Sequence, residues 1–272
     1  MIKLLTHTDL PAALAYMNRH YLETALLIEN VLACGLENRR EDSRSGDYFG
    51  CFEGQELTGI AAFYNAASCI PHYERQSAAA ELSILMLKRN FRTMLGLQKI
   101  VNPLLPILER RKPIRHLTAS EYLVNDNFSP YVISGAEFRT ISQLGEKKAA
   151  DFIAQAYWDI AHDGKIRHGL QKQLQDPAVT EEFLFLLIDG DLKAQAYIKT
   201  STAKVAQVGG VYTLDAERGR GYCKAITSEL CSRIIRLGKT PALTVRQGNL
   251  AAKRAYERIG FSCYDRYLML KF

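Results

Sequence analysis

The chain has 272 residues, enough for one large domain or two ordinary ones. A hydrophobic share of 47% against 24% charged residues excludes a disordered chain, and no run of ~18 apolar residues is present to span a membrane as a helix. A formal net charge of +6 suits an anionic ligand, but no basic run is interleaved with aromatics, so the composition does not call for a nucleic acid.

The apolar pattern defines elements from the start of the chain. Ile2 to Leu5 reads as a strand, and Asp9-Leu10-Pro11 as a helix start with Asp9 at the cap. Helices follow over Pro11 to Arg19 and Tyr21 to Cys34, the second stopped by Gly35. Glu37 to Gly46 is a charged loop. Tyr48 to Phe52 and Leu57 to Tyr64 form a hairpin around Glu53-Gly54-Gln55-Glu56, and Ala66 to Tyr73 a third strand. The Ala-, Leu-, Ile- and Met-rich stretch Ser77 to Leu108 reads as helices broken near Asn90 and Asn102-Pro103. A strand over His116 to Val124 and a loop from Asn125 to Pro130 follow. The domain boundary is placed here, giving domains 1–130 and 131–272.

The second half opens with a helix over Glu146 to His162, its apolar residues Ala149, Phe152, Ile153, Ala156, Tyr157 and Ile160 at helical spacing. A shorter helix, His168 to Leu174, ends at Asp176-Pro177. A second hairpin joins Glu182 to Ile188 and Leu192 to Lys199 through Asp189-Gly190-Asp191. Helix, helix, strand, turn, strand therefore occurs twice, a weak internal repeat. The halves differ after the hairpin, where the first reads SCIPHYERQSAAAEL and lacks a glycine turn. Later elements are a helix over Tyr222 to Leu237, a strand over Pro241 to Val245, a helix over Asn249 to Ile259 stopped by Gly260, and one or two strands over Phe261 to Phe272.

The most informative stretch is Val208 to Lys224, VGGVYTLDAERGRGYCK. An apolar strand runs into Arg218-Gly219-Arg220-Gly221 and then into a helix with Ile226, Leu230 and Ile234 on one face. Such a turn can hold an anion. The first helical turn leaves N–H groups unpaired and partially positive, and glycines let the backbone approach a phosphate closely. The six cysteines show no C-x-x-C pair and no zinc spacing. The polar residues Thr6, His7 and Asp9 interrupt any signal-peptide core. Reduced thiols and a cytoplasmic location are the expectation.

Two motifs carry a resemblance. VYTLDAERGRGYCKA (Val211 to Ala225) is similar to the strand, R-x-x-G-x-G/A turn and helix of the GNAT superfamily of acyl-CoA-dependent N-acyltransferases. NLAAKRAYERIGF (Asn249 to Phe261) is similar to that family's N-x-x-A-x-x-x-Y-x-x-x-G-F. The resemblance covers about residues 142–272. The whole chain looks like the subset of predicted acetyltransferases with a degenerate GNAT-like N-terminal half, and the closing strand resembles the FR-type, glycine-acyltransferase-like branch.

The resemblance implies a mixed α/β fold, with a C-terminal GNAT domain whose central strands splay apart and a GNAT-like half before it. It implies acetyl-CoA as co-substrate, its pantetheine along Val211, Tyr212 and Thr213, with Gly209-Gly210 permitting a bulge. It places the diphosphate on Arg218, Gly219, Arg220, Gly221, Tyr222, Cys223 and Lys224. Asn249 and Ala252 belong to the same cofactor site, and Tyr256 donates a proton to the departing sulfur. The expected reaction is direct attack of a primary amine on the thioester.

Two departures qualify the match. Cys223 stands where the family has Gly or Ala, so its side chain must point away from the phosphates. Thr244 stands where many members carry a basic carboxylate, leaving the general base unassigned, with a water relayed to Glu181, Glu182 or Glu217 as one route. A non-catalytic acyl-CoA sensor or scaffold is the alternative reading, and RNA binding through the Arg-Gly turn a more distant one. The expected partners are acyl-CoA and an unidentified amine, with no nucleic acid and no membrane. No metal site is expected. The oligomeric state is open, a homodimer included.

Overall fold

Local start and stop signals set the first helices. In the computed structural model, which describes residues 1–161 and 183–272, β1 (Ile2–Leu4) leads into a 3-10 turn at His7–Asp9. The Asp9 carboxylate there accepts the Thr6 backbone N–H at 3.0 Å. α1 (Leu10–Arg19) has Pro11 in its first turn, and α2 (Tyr21–Cys34) stops at Gly35, whose φ is +77°. β2 (Gly46–Glu53), β3 (Glu56–Tyr64) and β4 (Ser68–Tyr73) then run as an antiparallel meander. α3 (Gln76–Lys88) follows.

The helical reading of Ser77 to Leu108 is corrected at one point. Thr93–Leu97 is a strand, β5, bonded parallel to β4 at Ser68–Thr93 and Cys69–Met94. A five-residue apolar run has no period that separates strand from helix, and its neighbours decide. Short helices α4 (Gln98–Val101) and α5 (Leu105–Leu108) flank a 3-10 turn at Asn102–Leu104, and β6 (His116–Asn125) closes this part.

The second half opens with a short strand, β7 (Ala136–Arg139), where a helix was expected first. α6 (Ile141–Leu144) and α7 (Glu146–Ala161) come next, with Ala149, Phe152, Ile153 and Ala156 buried as their spacing predicts. The helix expected over His168 to Leu174, the turn at Asp176-Pro177, and Glu181 and Glu182 lie outside the described residues. The chain continues with β8 (Phe183–Ile188), β9 (Asp191–Ser201), β10 (Val205–Thr213), α8 (Tyr222–Arg236), β11 (Thr240–Arg246), α9 (Leu250–Glu257) and β12 (Phe261–Lys271). The last of these is one strand.

These elements form two units, Met1–Tyr122 with Cys263–Phe272, and Leu123–Ser262. In the first, strands run in the order β1-β2-β3-β4-β5-β12, and β12 pairs antiparallel with β5 from Tyr267–Leu97 to Lys271–Thr93. Its core gathers Tyr16, Met17, Leu27, Tyr48 and Ile60. In the second unit the order is β11-β10-β9-β8-β7. Alternation along β8 sends Leu184 and Leu186 to one face, with Ile226, Leu230 and Ile234 of α8. Phe183, Phe185 and Leu187 go to the other, with Phe152 and Ile153 of α7. Each such buried Leu or Phe contributes roughly 1.5–3 kcal/mol, and together they hold β10 rigidly between two helical layers.

Candidate functional site

β10 is paired fully on one side and only partly on the other. Its parallel bonds to β11 run from Val205–Thr240 to Val208–Leu243 and stop there, although both strands continue. The strands therefore splay, and Gly209–Thr213 present main-chain groups towards an open edge, where an amide-bearing chain can pair as an added strand does. On the β9 side, Gly209 faces Tyr197 while Tyr212 faces Gln195, so β10 carries one extra residue, a β-bulge. The bulge falls at the Gly209-Gly210 pair, as the sequence implied. Gly210 has a further reason to be glycine. Its φ is +55°, and a Cβ there would lie 2.0 Å from Cε1 of Tyr197.

The three residues at the open edge are not equivalent. Tyr212 is buried with its ring 5.9 Å from that of Phe152, so its side chain belongs to the core and faces no ligand. Val211 packs on the opposite core. Among the described residues, the buried Thr213 hydroxyl finds no hydrogen-bond partner, and neither does Oε1 of the buried Gln195 on β9. Gln195 was missed in the sequence. Its only signal there is a polar residue at a core position within KAQAYIKT.

After a 3-10 turn at Asp215–Glu217, the Arg-Gly turn delivers the chain to the start of α8. Gly219 and Gly221 have φ of +84° and +86°, and Gly221 is the residue that caps α8. Both arginine side chains are exposed and engaged with the preceding turn. Arg218 pairs with Asp215 at 2.5 Å and Arg220 with Glu217 at 3.2 Å. Anion-binding capacity here thus lies first in the backbone N–H groups. Lys224 places its ammonium 3.9 Å from the ring centroid of Tyr131. Tyr222 is buried in the α8 core, so its contribution to the turn is its backbone.

Cys223 does point away from the turn, packing against the α8 core. There its sulfur is hydrogen-bonded to the hydroxyl of Tyr256, which connects the two sequence motifs directly. Burial pushes the Cys223 thiol up to about 11, so it stays protonated and inert at neutral pH. Burial, then the neighbouring Cys223, raises the Tyr256 hydroxyl well above its ordinary value, keeping its proton in place. The Tyr256 ring meets Phe261 edge-on at 5.9 Å. On the same helix Asn249 acts as the cap, its Oδ1 accepting the Ala252 backbone N–H at 3.2 Å.

Of the positions the sequence offered for a base, Thr244 and Glu217 are among the described residues, and neither supplies a free carboxylate beside the open edge. Thr244 is exposed on the diverging part of β11. Glu217 is held between Lys193, at 2.9 Å, and Arg220. All six cysteines are free thiols.

Comparison with known proteins places this arrangement. Residues 188–270 match the family described as FR47-like protein. No curated protein matches the chain. Among solved structures, a GNAT-family acetyltransferase from Colwellia psychrerythraea is 15% identical with a TM-score of 0.62, over 100% of this chain and 99% of that one. A GCN5-related N-acetyltransferase from Sphaerobacter thermophilus is 15% identical with a TM-score of 0.64, over 100% and 95%. A tandem GNAT protein from the clavulanic acid biosynthesis pathway is 12% identical with a TM-score of 0.55, over 100% and 98%. The splayed strands, the glycine turn and these likenesses lead to one statement: the chain has the GNAT acetyltransferase fold, with an FR47-like segment over residues 188–270.

Proposed function

We propose that the protein is an N-acetyltransferase that moves an acetyl group from acetyl-CoA to a primary amine by direct attack. One observation carries this reading: β10 loses its parallel partner after Val208 and leads, through one 3-10 turn, to a glycine turn at a helix N-terminus. An open strand edge suits the amide-bearing pantetheine arm, and the adjoining turn suits a diphosphate. Val211, Tyr212 and Thr213 offer their backbone to the arm. Residues 218–224 offer N–H groups to the phosphates, each charge-assisted bond contributing roughly 1.5–3 kcal/mol. Asn249 and Ala252 complete this surface.

In this reading the amine nitrogen attacks the thioester carbonyl and a backbone N–H near Val211 stabilises the developing oxyanion. As the C–S bond breaks, Tyr256 gives its own hydroxyl proton to the departing sulfur, and the proton shed by the attacking nitrogen passes to solvent, from which Tyr256 is reprotonated. Burial keeps that proton on the hydroxyl in the resting enzyme. The C-terminal domain read in the sequence (131–272), most of which lies in the second unit (Leu123–Ser262), does the chemistry, and the N-terminal half (1–130) is a degenerate copy.

A non-catalytic acyl-CoA sensor is the second reading. It is favoured by the exposed Thr244 and the ion-paired Glu217, neither of which is a free carboxylate base among the described residues. Thiol release from acetyl-CoA, followed with a panel of polyamines, amino acids, aminoglycoside-type amines and peptide N-termini, separates the two. The enzyme reading expects amine-dependent release that falls at least tenfold in Tyr256→Phe with little change in acetyl-CoA affinity. Binding without release across the whole panel assigns the sensor role instead.

A further inference from the structure

We infer that Tyr131, a residue outside both family motifs, belongs to the phosphate side of the donor site, where its hydroxyl donates to the diphosphate held at the start of α8. This rests on the acetyl-CoA reading above and extends it to a side chain far upstream in the sequence.

Three contacts fix Tyr131 on α8. Its backbone N–H donates to Oγ of Ser228 at 2.8 Å, and Ser228 is itself buried. Its ring carries the Lys224 ammonium at 3.9 Å from the centroid. Its hydroxyl lies 2.7 Å from where a Cβ on Gly221 would stand. Positions 221, 224 and 228 are three and four residues apart, so they form one stripe along the helix. The phenol ring therefore lies along that stripe with its backbone at the inner end and its hydroxyl at the α8 N-terminus. Gly221 accordingly does two things: it takes a φ of +86° and leaves room for this hydroxyl.

The groups that meet there are all donors: the unpaired N–H groups of the first helical turn, the Tyr131 O–H and the Lys224 ammonium. Arg218 and Arg220 are already paired with Asp215 and Glu217, whereas Lys224 has no carboxylate partner among the described residues. An aromatic face is a weak partner for an ammonium, worth about 0.5–1 kcal/mol when exposed. The lysine is thus held at the site while remaining available to an anion. A phosphate group is the ligand chemistry that satisfies this set, and a diphosphate satisfies it with two.

The test is calorimetric titration of CoA into the full-length wild type, Tyr131→Phe and Lys224→Met, with melting of each ligand-free protein. Tyr131→Phe keeps the ring, the Ser228 contact and the place of Lys224, and removes only the hydroxyl. The inference expects roughly tenfold weaker CoA binding by Tyr131→Phe with unchanged melting, the loss typical of one hydrogen bond to a charged group. It also expects a shallower salt dependence of binding for Lys224→Met. Wild type that binds CoA while Tyr131→Phe binds equally well or more tightly overturns the role of Tyr131 and leaves the donor-site reading standing. Wild type that does not bind CoA overturns that reading itself, and the inference with it.

Discussion

Glycine and cysteine positions show how single residues shape the open edge of β10 and the turn before α8. Gly219 and Gly221, both with positive φ, were readable as a turn because the sequence sets them between a strand and a helix. The role of Gly210 was only half readable. The bulge follows from the Gly-Gly pair, but the Tyr197 ring over it comes from a neighbouring strand through a register that no local pattern reveals. Gly210→Ala combines a positive φ with a Cβ 2.0 Å from that ring. It is expected to lower stability by about 1–3 kcal/mol and to shift the bulge. A urea midpoint equal to wild type would show that the strand absorbs the methyl group without cost. Cys223 was legible as an irregular position and not as the partner of Tyr256, since the two lie on different helices. Cys223→Ala leaves the buried Tyr256 hydroxyl without its acceptor, at a cost of about 1–3 kcal/mol in urea unfolding. The wild-type thiol, held up at about 11, should alkylate far more slowly at pH 7.5 in the folded protein than in urea. Equal rates would contradict the buried contact.

At the level of elements, the long amphipathic stretches were the easiest to read. α2 matches its expected span, Tyr21 to Cys34, because periodicity and a stop glycine agree. β5 was read as helix because Thr93–Leu97 carries no period and its identity depends on β4 and β12, which are distant in sequence. β7 has only four residues and was missed for the same reason. α9 was legible from its cap to its stop glycine. Its eight residues are too few for much intrinsic helicity, so the Asn249 cap matters. Asn249→Ala is expected to cost about 1 kcal/mol in urea unfolding, and Asn249→Asp much less. Equal losses in the two variants would mean that Asn249 acts through something other than the cap. The splay of β10 from β11 was foreseen only through the family resemblance, since nothing in either strand's own sequence ends their pairing.

Over the whole molecule, the two units repeat one order of elements: a hairpin, a third antiparallel strand, a helix, and a strand parallel to the third. In the first unit β4 and β5 also pair over only two positions before parting. The counterpart of the glycine turn there is Glu74-Arg75, and Arg75 pairs with Glu53 and Glu56. Tyr73 in the same place donates to the Ile100 carbonyl at 2.8 Å.

The first unit has instead a polar network on α2. The Glu23 carboxylate accepts from His72 Nε2 at 2.9 Å, Lys99 Nζ at 2.7 Å and the Tyr264 hydroxyl at 2.5 Å. Burial alone would raise Glu23, but the hydrogen bonds from His72, Lys99 and Tyr264 outweigh it and hold the carboxyl at about 2. His72 is pushed down by burial, against the pull of Glu23. It is therefore neutral, donating from Nε2 and accepting the Tyr16 hydroxyl on Nδ1 at 2.7 Å. Both folded-state values lie below the ordinary 4.5 and 6.5, so the unfolded chain binds more protons as pH falls. Stability is then full above pH ~6.5 and declines through acid, first by His72 and then by Glu23 between about 4.5 and 2. Urea midpoints measured across this range should fall steadily in the wild type. They should fall less steeply below pH 5 in Glu23→Gln, and an identical slope there would remove Glu23 from the acid transition.

Whether the open edge of β10 and the turn before α8 form an acetyl-CoA site is decided by titration calorimetry of acetyl-CoA into wild type and Gly221→Glu. The account predicts saturable one-site binding by the wild type, abolished in Gly221→Glu by a carboxylate set among donors meant for phosphate. Absence of binding by the wild type, or equal binding by both proteins, would contradict it.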